Sequence, residues 1–156
     1  MQAGLLIRWA VKRDTDAMVD IDRQSYAKAW GEESFIKHLK KRTCIGLVAE
    51  SEGRIVGFVI YELAKKSLAV LRIAVHPAER RKGVGRAFME RLAGKLTKQL
   101  RLFASISVGE NDQDAMEFLR ACGLKARELY PADPPENGGD VWVFHLECPE
   151  RSGKES

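Results

Sequence analysis

Hydrophobic and polar residues alternate along three successive stretches in the middle of the chain. Cys44 to Glu50, Arg54 to Tyr61 and Leu68 to Val75 are rich in Val, Ile and Leu, and short turn-forming segments join them. A period of two with short turns between the runs predicts three strands of an antiparallel meander. Leu5 to Trp9 shows a similar pattern and predicts a further strand near the start of the chain.

Helical spacing of apolar residues occurs on both sides of this meander. Before it, a first helix is predicted from about Arg13 to Ala27, and a second helix follows Trp30. After it, helix, strand, helix and two strands are predicted over Ala87 to about Gln99, Leu102 to Val108, Asp112 to Ala121, Leu124 to Tyr130 and Val141 to Leu146. Gly123 is predicted to cap the last helix in the left-handed conformation.

Length and composition favour one folded domain. The 156 residues, of which 45% are hydrophobic, are enough for a single core, so we expect one domain over residues 1–148. Pro and Gly are frequent from Pro131 to Gly139, which predicts a loop, and residues 149–156 are expected to form a disordered polar tail.

Charge and cysteine content limit the choice of partners. The net charge of +4 is mild and its basic residues are scattered, so nucleic acid is not favoured. Cys44, Cys122 and Cys148 are odd in number and lack metal-ligand spacing, and no charged-then-apolar leader opens the chain. These features favour a reducing, cytoplasmic setting without a metal. No apolar run approaches the ~18 residues of a membrane span, so no membrane partner is expected.

The run from Val75 to Ala87 carries the most informative chemistry. Gly83 and Gly85 have no Cβ, so the backbone can approach a ligand closely, and the helix that follows leaves its first amides unpaired. Those amides and the positive end of the helix dipole favour a phosphate. The cations around this turn are Arg80, Arg81, Lys82 and Arg86. The turn is therefore predicted to bind an anion with at least two phosphates.

The glycine pattern excludes two familiar phosphate motifs. Gly85 is followed by Arg86, Ala87 and Phe88, which fit neither a Walker loop nor a dinucleotide fingerprint. The run does fit R/Q-x-x-G-x-G/A, as Arg80-Arg81-Lys82-Gly83-Val84-Gly85. This pattern resembles the pyrophosphate-binding signature of the GNAT superfamily of acetyl-CoA-dependent N-acyltransferases.

The order of predicted elements is also similar to the GNAT fold from about residue 5 to residue 147. That resemblance implies an α/β (α+β) fold with a mixed, mostly antiparallel seven-stranded sheet and about four helices. Within the superfamily the chain is most similar to RimI-like N-terminal acetyltransferases. The segments that carry this similarity are Trp30 to Phe35, Arg72 to Pro77, and Asn111 with Phe118 to Leu124.

The resemblance also implies how acetyl-CoA is bound. The backbone of Ile73, Ala74 and Val75 would hold the pantetheine arm as an added strand would. Amides from Arg81 to Arg86 would hold the pyrophosphate. Asn111 matches an asparagine that contacts the cofactor arm, and a helix cap is an equal alternative for this residue.

Transfer of an acetyl group from a thioester to an amine needs a base, an oxyanion donor and an acid. The resemblance implies that the amide of Val75 polarises the carbonyl. Relatives carry a glutamate base and a tyrosine acid where this sequence has Ile106 and Phe118. Tyr130 is a candidate acid, although its ring can simply pack while its hydroxyl meets water. Further candidates are Glu62, Glu110, His76 and Cys122.

The resemblance to RimI-like enzymes, which modify the α-amine at a protein N-terminus, also implies the acceptor. An α-amine titrates near about 8 and a lysine near about 10.4, so a site without an obvious strong base favours the α-amine. We expect a protein N-terminus, with a ribosomal protein as one such acceptor. The resemblance implies an acceptor groove near Tyr26, Trp30 and the loop from Pro131 to Gly139. Two alternatives are a GNAT that acetylates a small amine and a non-catalytic domain that binds acyl-CoA.

Overall fold

The computed structural model describes residues 4–131 and 139–149. The strands in these residues are β1 (Leu5–Trp9), β2 (Cys44–Ser51), β3 (Arg54–Leu63), β4 (Ser67–Val75), β5 (Phe103–Gly109), β6 (Lys125–Tyr130) and β7 (Val141–Glu147). The α-helices are α1 (Thr15–Ser25), α2 (Glu32–Lys40), α3 (Val84–Ala93) and α4 (Gln113–Ala121). Residues 132–138 and 150–156 lie outside the described residues, and with them most of the predicted loop and of the predicted tail.

The strands form one seven-stranded sheet in the order β1-β2-β3-β4-β5-β7-β6. The pairs β1–β2, β2–β3, β5–β7 and β6–β7 are antiparallel. The predicted meander and the mostly antiparallel, seven-stranded sheet with about four helices are therefore confirmed. Among the described residues, the helices are too short or too polar to cross a bilayer.

The predicted helix from Ala87 to about Gln99 is wrong in its second half. α3 ends at Ala93, and Gly94 follows it. Glycine costs about 1 kcal/mol relative to alanine inside a helix, which favours an end at this position. The chain then makes a tight turn, in which the Thr97 amide donates to the Arg101 carbonyl at 2.8 Å. Leu96 remains fully buried even though it has left the helix.

The chain folds as two compact units, Met1–Leu63 with Val70–Glu90, and Ala64–Ala69 with Arg91–Ser156. The core of the first unit consists of Met18, Ile21, Phe35, Val48, Phe58, Ile60 and Ala74. Gly57 on β3 lets other parts of this unit approach closely. A Cβ at Gly57 would lie 3.1 Å from the Ala74 carbonyl oxygen and 3.2 Å from Val84 Cγ1. The end of β4 and the start of α3 are thus held against β3.

The second unit is built on the antiparallel pair of β5 and β7. Alternate residues of β5 are buried, and they face one side of the strand: Ala104, Ile106 and Val108. At the end of α4, Gly123 has a φ of 92°. Its amide donates to the Arg120 carbonyl, and the Leu124 amide donates to the Leu119 carbonyl, both at 2.9 Å. This paired closure confirms the predicted left-handed cap.

Candidate active site

The turn before α3 has the geometry of a helix start that is open to a ligand. A short 3-10 turn covers Pro77–Glu79, and at the start of α3 the Ala87 amide donates to the Gly83 carbonyl at 3.0 Å. The amides of Val84 and Gly85 precede it, at the position where a helix leaves its first N–H groups without an acceptor in a preceding turn. These amides and the helix dipole make the turn suitable for an anion.

Two residues of this turn have a left-handed backbone. Arg81 has a φ of 64° and Gly83 a φ of 92°. A non-glycine residue pays roughly 1–2 kcal/mol in this region, and such strain is often found at ligand-binding turns. A Cβ on Gly83 would meet no atom within 4 Å. Glycine is therefore required there by φ, and the space beside it is open.

The four predicted cations of the turn differ in where their side chains lie. Arg81, Lys82 and Arg86 are exposed, and the Lys82 ammonium lies 3.6 Å from Glu79. Arg80 has a different environment from these three.

Arg80 contacts protein groups on both sides of the turn. Its Nε donates to the Val75 carbonyl at 2.9 Å, and its Nη2 donates to Ser25 Oγ at 3.0 Å. Arg80 therefore fixes the end of β4 to the end of α1. That it also contacts phosphate stays a prediction.

Side chains also fix the backbone at the end of β4, where the cofactor arm is predicted to bind. The Ile73 carbonyl accepts from the Tyr26 hydroxyl at 2.5 Å, while the Val75 carbonyl accepts from Arg80. The residue between them, Ala74, is buried and joins the core. Sequence reasoning assigned Tyr26 to the acceptor groove but missed its bond to this strand, because the two residues are 47 positions apart.

In the second unit, Asn111 and Asp112 have separate roles. Asp112 caps α4, because its Oδ1 accepts from the Ala115 amide at 3.1 Å. The helix-cap alternative for Asn111 is therefore wrong: Asn111 precedes the cap and is exposed. Gly139 lies close to this corner, since a Cβ there would be 2.8 Å from the Glu110 carboxylate and 3.3 Å from Asn111 Nδ2.

Tyr130, the predicted acid, ends β6 and is 54% exposed. Its hydroxyl donates to the Glu128 carboxylate, and this hydrogen bond, together with the charge of Glu128, raises the pKa of Tyr130. The phenol therefore stays protonated at neutral pH. The two strand positions lie on either side of Leu129, so Glu128 and Tyr130 share one face of β6.

The remaining candidates are bound to other groups or lack titratable chemistry. Glu62 lies 2.9 Å from both Lys41 and Thr43, whose hydrogen bonds lower its pKa and make it a weak base. Ile106 is buried on β5, and Phe118 is half-buried on α4.

His76 and Cys122 have structural roles. His76 Nδ1 accepts from the Ala78 amide at 3.1 Å, and Cys122 is the C-cap of α4. Among residues 4–131 and 139–149, no three His, Cys, Asp or Glu side chains come together as a metal site would require.

Comparison with known proteins gives consistent matches. A model described as the acetyltransferase (GNAT) family matches residues 15–124. The ribosomal protein bS18 alanine N-acetyltransferase of Escherichia coli strain K12 is 28% identical over 122 residues, 76% of this chain and 82% of that protein.

Two solved structures share the fold. The crystal structure of the ribosomal-protein-S18-alanine N-acetyltransferase from Escherichia coli has a TM-score of 0.80 at 20% identity, covering 97% of this chain and 99% of that one. A GNAT family acetyltransferase from Elizabethkingia anophelis, solved with acetyl-CoA bound, has a TM-score of 0.74 at 12% identity, covering 94% and 99%. These similarities confirm the predicted fold.

Proposed function

The chain belongs to the acetyltransferase (GNAT) family, and we propose that this N-acetyltransferase moves the acetyl group of acetyl-CoA to the α-amine at a protein N-terminus. The observation that carries the proposal is the open, strained and positively charged turn before α3, which contains the signature from Arg80 to Gly85. The relative from E. coli, named for an alanine of ribosomal protein bS18, supports the acceptor. A ribosomal protein is therefore the first acceptor to test.

The donor is held by backbone and cations together. The amides at the start of α3, from Val84 to Arg86, would bind the pyrophosphate of acetyl-CoA. The exposed Arg81 and Lys82 add charge-assisted hydrogen bonds to the same group. The backbone from Ile73 to Val75 would then hold the arm, with its carbonyls already fixed by Tyr26 and Arg80.

In the transfer itself, the neutral amine nitrogen attacks the thioester carbonyl carbon. The amide of Val75 would donate to the carbonyl oxygen as negative charge develops on it. The carbon–sulfur bond then breaks, the thiolate takes a proton from a general acid, for which Tyr130 is the candidate from the sequence, and the nitrogen loses a proton to water. Because an α-amine is partly neutral near pH 8, at about its pKa, this chemistry does not need a strong base.

A small cationic amine is the second candidate acceptor. Glu110, Asp112 and Asp114 cluster where β5 is followed by α4, and all three carboxylates are partly or fully exposed. A concentration of carboxylates raises the local concentration of a cationic amine. This cluster favours a polyamine or amino sugar over an uncharged acceptor.

We also propose that residues 1–148 act as a single domain and that the enzyme works in the cytoplasm. Among the described residues, Cys44, Cys122 and Cys148 are not joined in disulfide bonds. Free thiols are typical of proteins in reducing compartments, which supports this location.

Calorimetry with acetyl-CoA tests the donor site. Gly83→Glu is expected to abolish measurable binding, because it places a carboxylate and a strained residue where the pyrophosphate would lie. Gly53→Glu is the matched control, since Gly53 has a φ of 77° and an open Cβ position but lies in the turn between β2 and β3. Equal losses in both variants, or full binding by Gly83→Glu, would contradict the proposed site.

Release of the coenzyme A thiol then tests the acceptor. We would compare a hexapeptide that begins with a free alanine, the same peptide with a blocked N-terminus, and spermidine. Release with the free peptide alone supports the proposed acceptor. Release with spermidine alone would instead favour the small-amine alternative, and acetyl-CoA binding without release on either would contradict both.

A further inference from the structure

A buried ion pair connects α1 with β4 inside the first unit. Asp22 is fully buried, and its carboxylate accepts from Arg72 Nε at 2.7 Å and from Arg72 Nη2 at 3.0 Å. A bidentate pair of this kind fixes the direction of both side chains as well as their distance. Nothing in the sequence pattern gives either residue a function.

The same two side chains also bind the segment between α1 and α2, residues 26–30. Arg72 Nη2 donates to the Lys28 carbonyl at 2.9 Å, and Asp22 Oδ2 accepts from the Trp30 amide at 2.8 Å. The Arg72 guanidinium lies 3.7 Å from the centre of the Tyr26 ring and 5.3 Å from that of Trp30. The segment is therefore held at its start, its middle and its end.

Tyr26 completes the connection to the strand that is predicted to hold acetyl-CoA. Its hydroxyl donates to the carbonyl of Ile73, the residue that follows Arg72 on β4. A displacement of Arg72 would release the Lys28 carbonyl and the Tyr26 ring together. Arg72 and Ile73, which are neighbours on β4, thus both contact residues 26–30.

We propose that Arg72 is a positioning residue that holds residues 26–30 at a fixed distance from β4 and so sets where the acceptor amine meets the thioester. The inference rests on the proposed function, in which this segment lines the acceptor groove and Ile73 to Val75 hold the donor. Arg72 is committed to Asp22, to the Lys28 carbonyl and to two rings, so it acts through the segment. Acyl transfer is sensitive to small displacements between the reacting atoms.

Hydrogen exchange tests the positioning without any acceptor. In Arg72→Lys the charge remains, but the planar fork and the bond to Lys28 are lost. We expect amides of residues 26–30, and that of Trp30 above all, to exchange roughly tenfold faster. Arg8→Lys is the matched control, because Arg8 makes a similar bidentate pair with the buried Asp14 in the same unit, at 2.8 and 3.0 Å. Unchanged exchange in Arg72→Lys would overturn the proposal.

Kinetics separate positioning from a general loss of stability. With the alanine peptide and with spermidine as probes, Arg72→Lys is expected to raise KM for the acceptor by about tenfold while the Kd of acetyl-CoA stays within about twofold. Tyr26→Phe, which removes a single hydroxyl, is expected to shift the same KM in the same direction. Arg8→Lys should change neither constant.

The failure of this proposal differs from that of the proposed function. If Arg72→Lys and Arg8→Lys raise KM equally, Arg72 is an ordinary stabilising residue and the proposal is wrong. If the wild type acetylates neither probe, the proposed acceptor is wrong, and the exchange rates still decide whether Arg72 holds residues 26–30.

Discussion

The donor turn of the first unit and the proton-transfer residues of the second unit are encoded in different ways. The turn uses backbone amides that one contiguous run, Arg80 to Arg86, places at the start of a helix. The proton-transfer candidates are side chains from separate parts of the chain: Glu110 follows β5, and Tyr130 ends β6. Phosphate binding needs a backbone conformation, whereas proton transfer needs particular atoms at particular places. A short motif can specify the backbone conformation that binds phosphate, but it does not specify which side chains transfer protons.

The contacts of each region show the same difference. Arg80 and Tyr26 fix the carbonyls at the end of β4, so the backbone expected to bind the donor is held from two sides. Tyr130 ends a strand whose residues are all exposed, and its described hydrogen bond is to Glu128 on the same strand. The donor region is preorganised from two sides, by the nearby Arg80 and by Tyr26, which is 47 positions from Ile73, whereas the acid candidate is held by a neighbour on its own strand.

Among changes that only remove side-chain groups, removing the charge of the turn should produce the largest effect. The triple change Arg81→Gln, Lys82→Gln and Arg86→Gln is expected to raise the Kd of acetyl-CoA about 100-fold, because exposed charge-assisted contacts contribute about 1 kcal/mol each. Calorimetry at two salt concentrations measures the Kd. The Kd of the triple variant should also depend less on salt than that of the wild type.

The control is a triple change elsewhere, at Lys65, Lys66 and Lys98, which are exposed cations of the second unit. It should leave the Kd within about twofold, as surface charges distant from a ligand are screened. If the two triple variants weaken acetyl-CoA binding equally, the effect comes from the net charge of the protein and not from cations of the turn.

The acid of the second unit should matter less. Tyr130→Phe is expected to lower kcat roughly tenfold, which is below the usual range for a general acid, because water can reach this exposed residue and replace it. The Kd of acetyl-CoA should not change. Leu129→Ala, at the exposed neighbour on the other face of β6, serves as the control. An unchanged kcat in Tyr130→Phe would remove Tyr130 from the mechanism.

The pH dependence of the reaction tests the bond between Tyr130 and Glu128. Glu128 raises the pKa of Tyr130, so Glu128→Gln should lower that pKa toward its ordinary value. The proposed donor is the protonated phenol, so the rate falls as pH rises through its pKa. The basic limb of kcat is therefore expected at lower pH in Glu128→Gln than in the wild type. Glu117→Gln, an exposed carboxylate on α4, should leave that limb in place.

Sequence reasoning was strongest where the physics is local. The alternation from Cys44 to Val75 predicted the meander, and Gly123 predicted a left-handed cap, because each depends on neighbouring residues. The helix after Gly85 was predicted too long because apolar spacing continues to Leu96, which is buried without being helical. Periodicity reports which residues are buried and does not by itself report where a helix ends.

Long-range contacts were the part that could not be predicted. The pair of Asp22 and Arg72 joins residues 50 positions apart. Such a pair leaves no local pattern, since either residue alone is an ordinary charged residue. That Asp112, and not Asn111, caps α4 was missed for another reason. Both are favoured caps, and the choice depends on the φ and ψ angles at which the strand turns into the helix.

Substitutions at the neighbouring residues Asn111 and Asp112 are expected to have the smallest effects, and they test whether helix capping and donor binding are separate. Asp112→Ala should reduce the free energy of unfolding by about 1 kcal/mol, the usual contribution of a cap, and leave the Kd of acetyl-CoA unchanged. Asn111→Ala should raise that Kd about fivefold, which corresponds to one hydrogen bond. Chemical denaturation and calorimetry on the two variants measure both quantities. If Asn111→Ala keeps the affinity of the wild type for acetyl-CoA, Asn111 does not contact the donor.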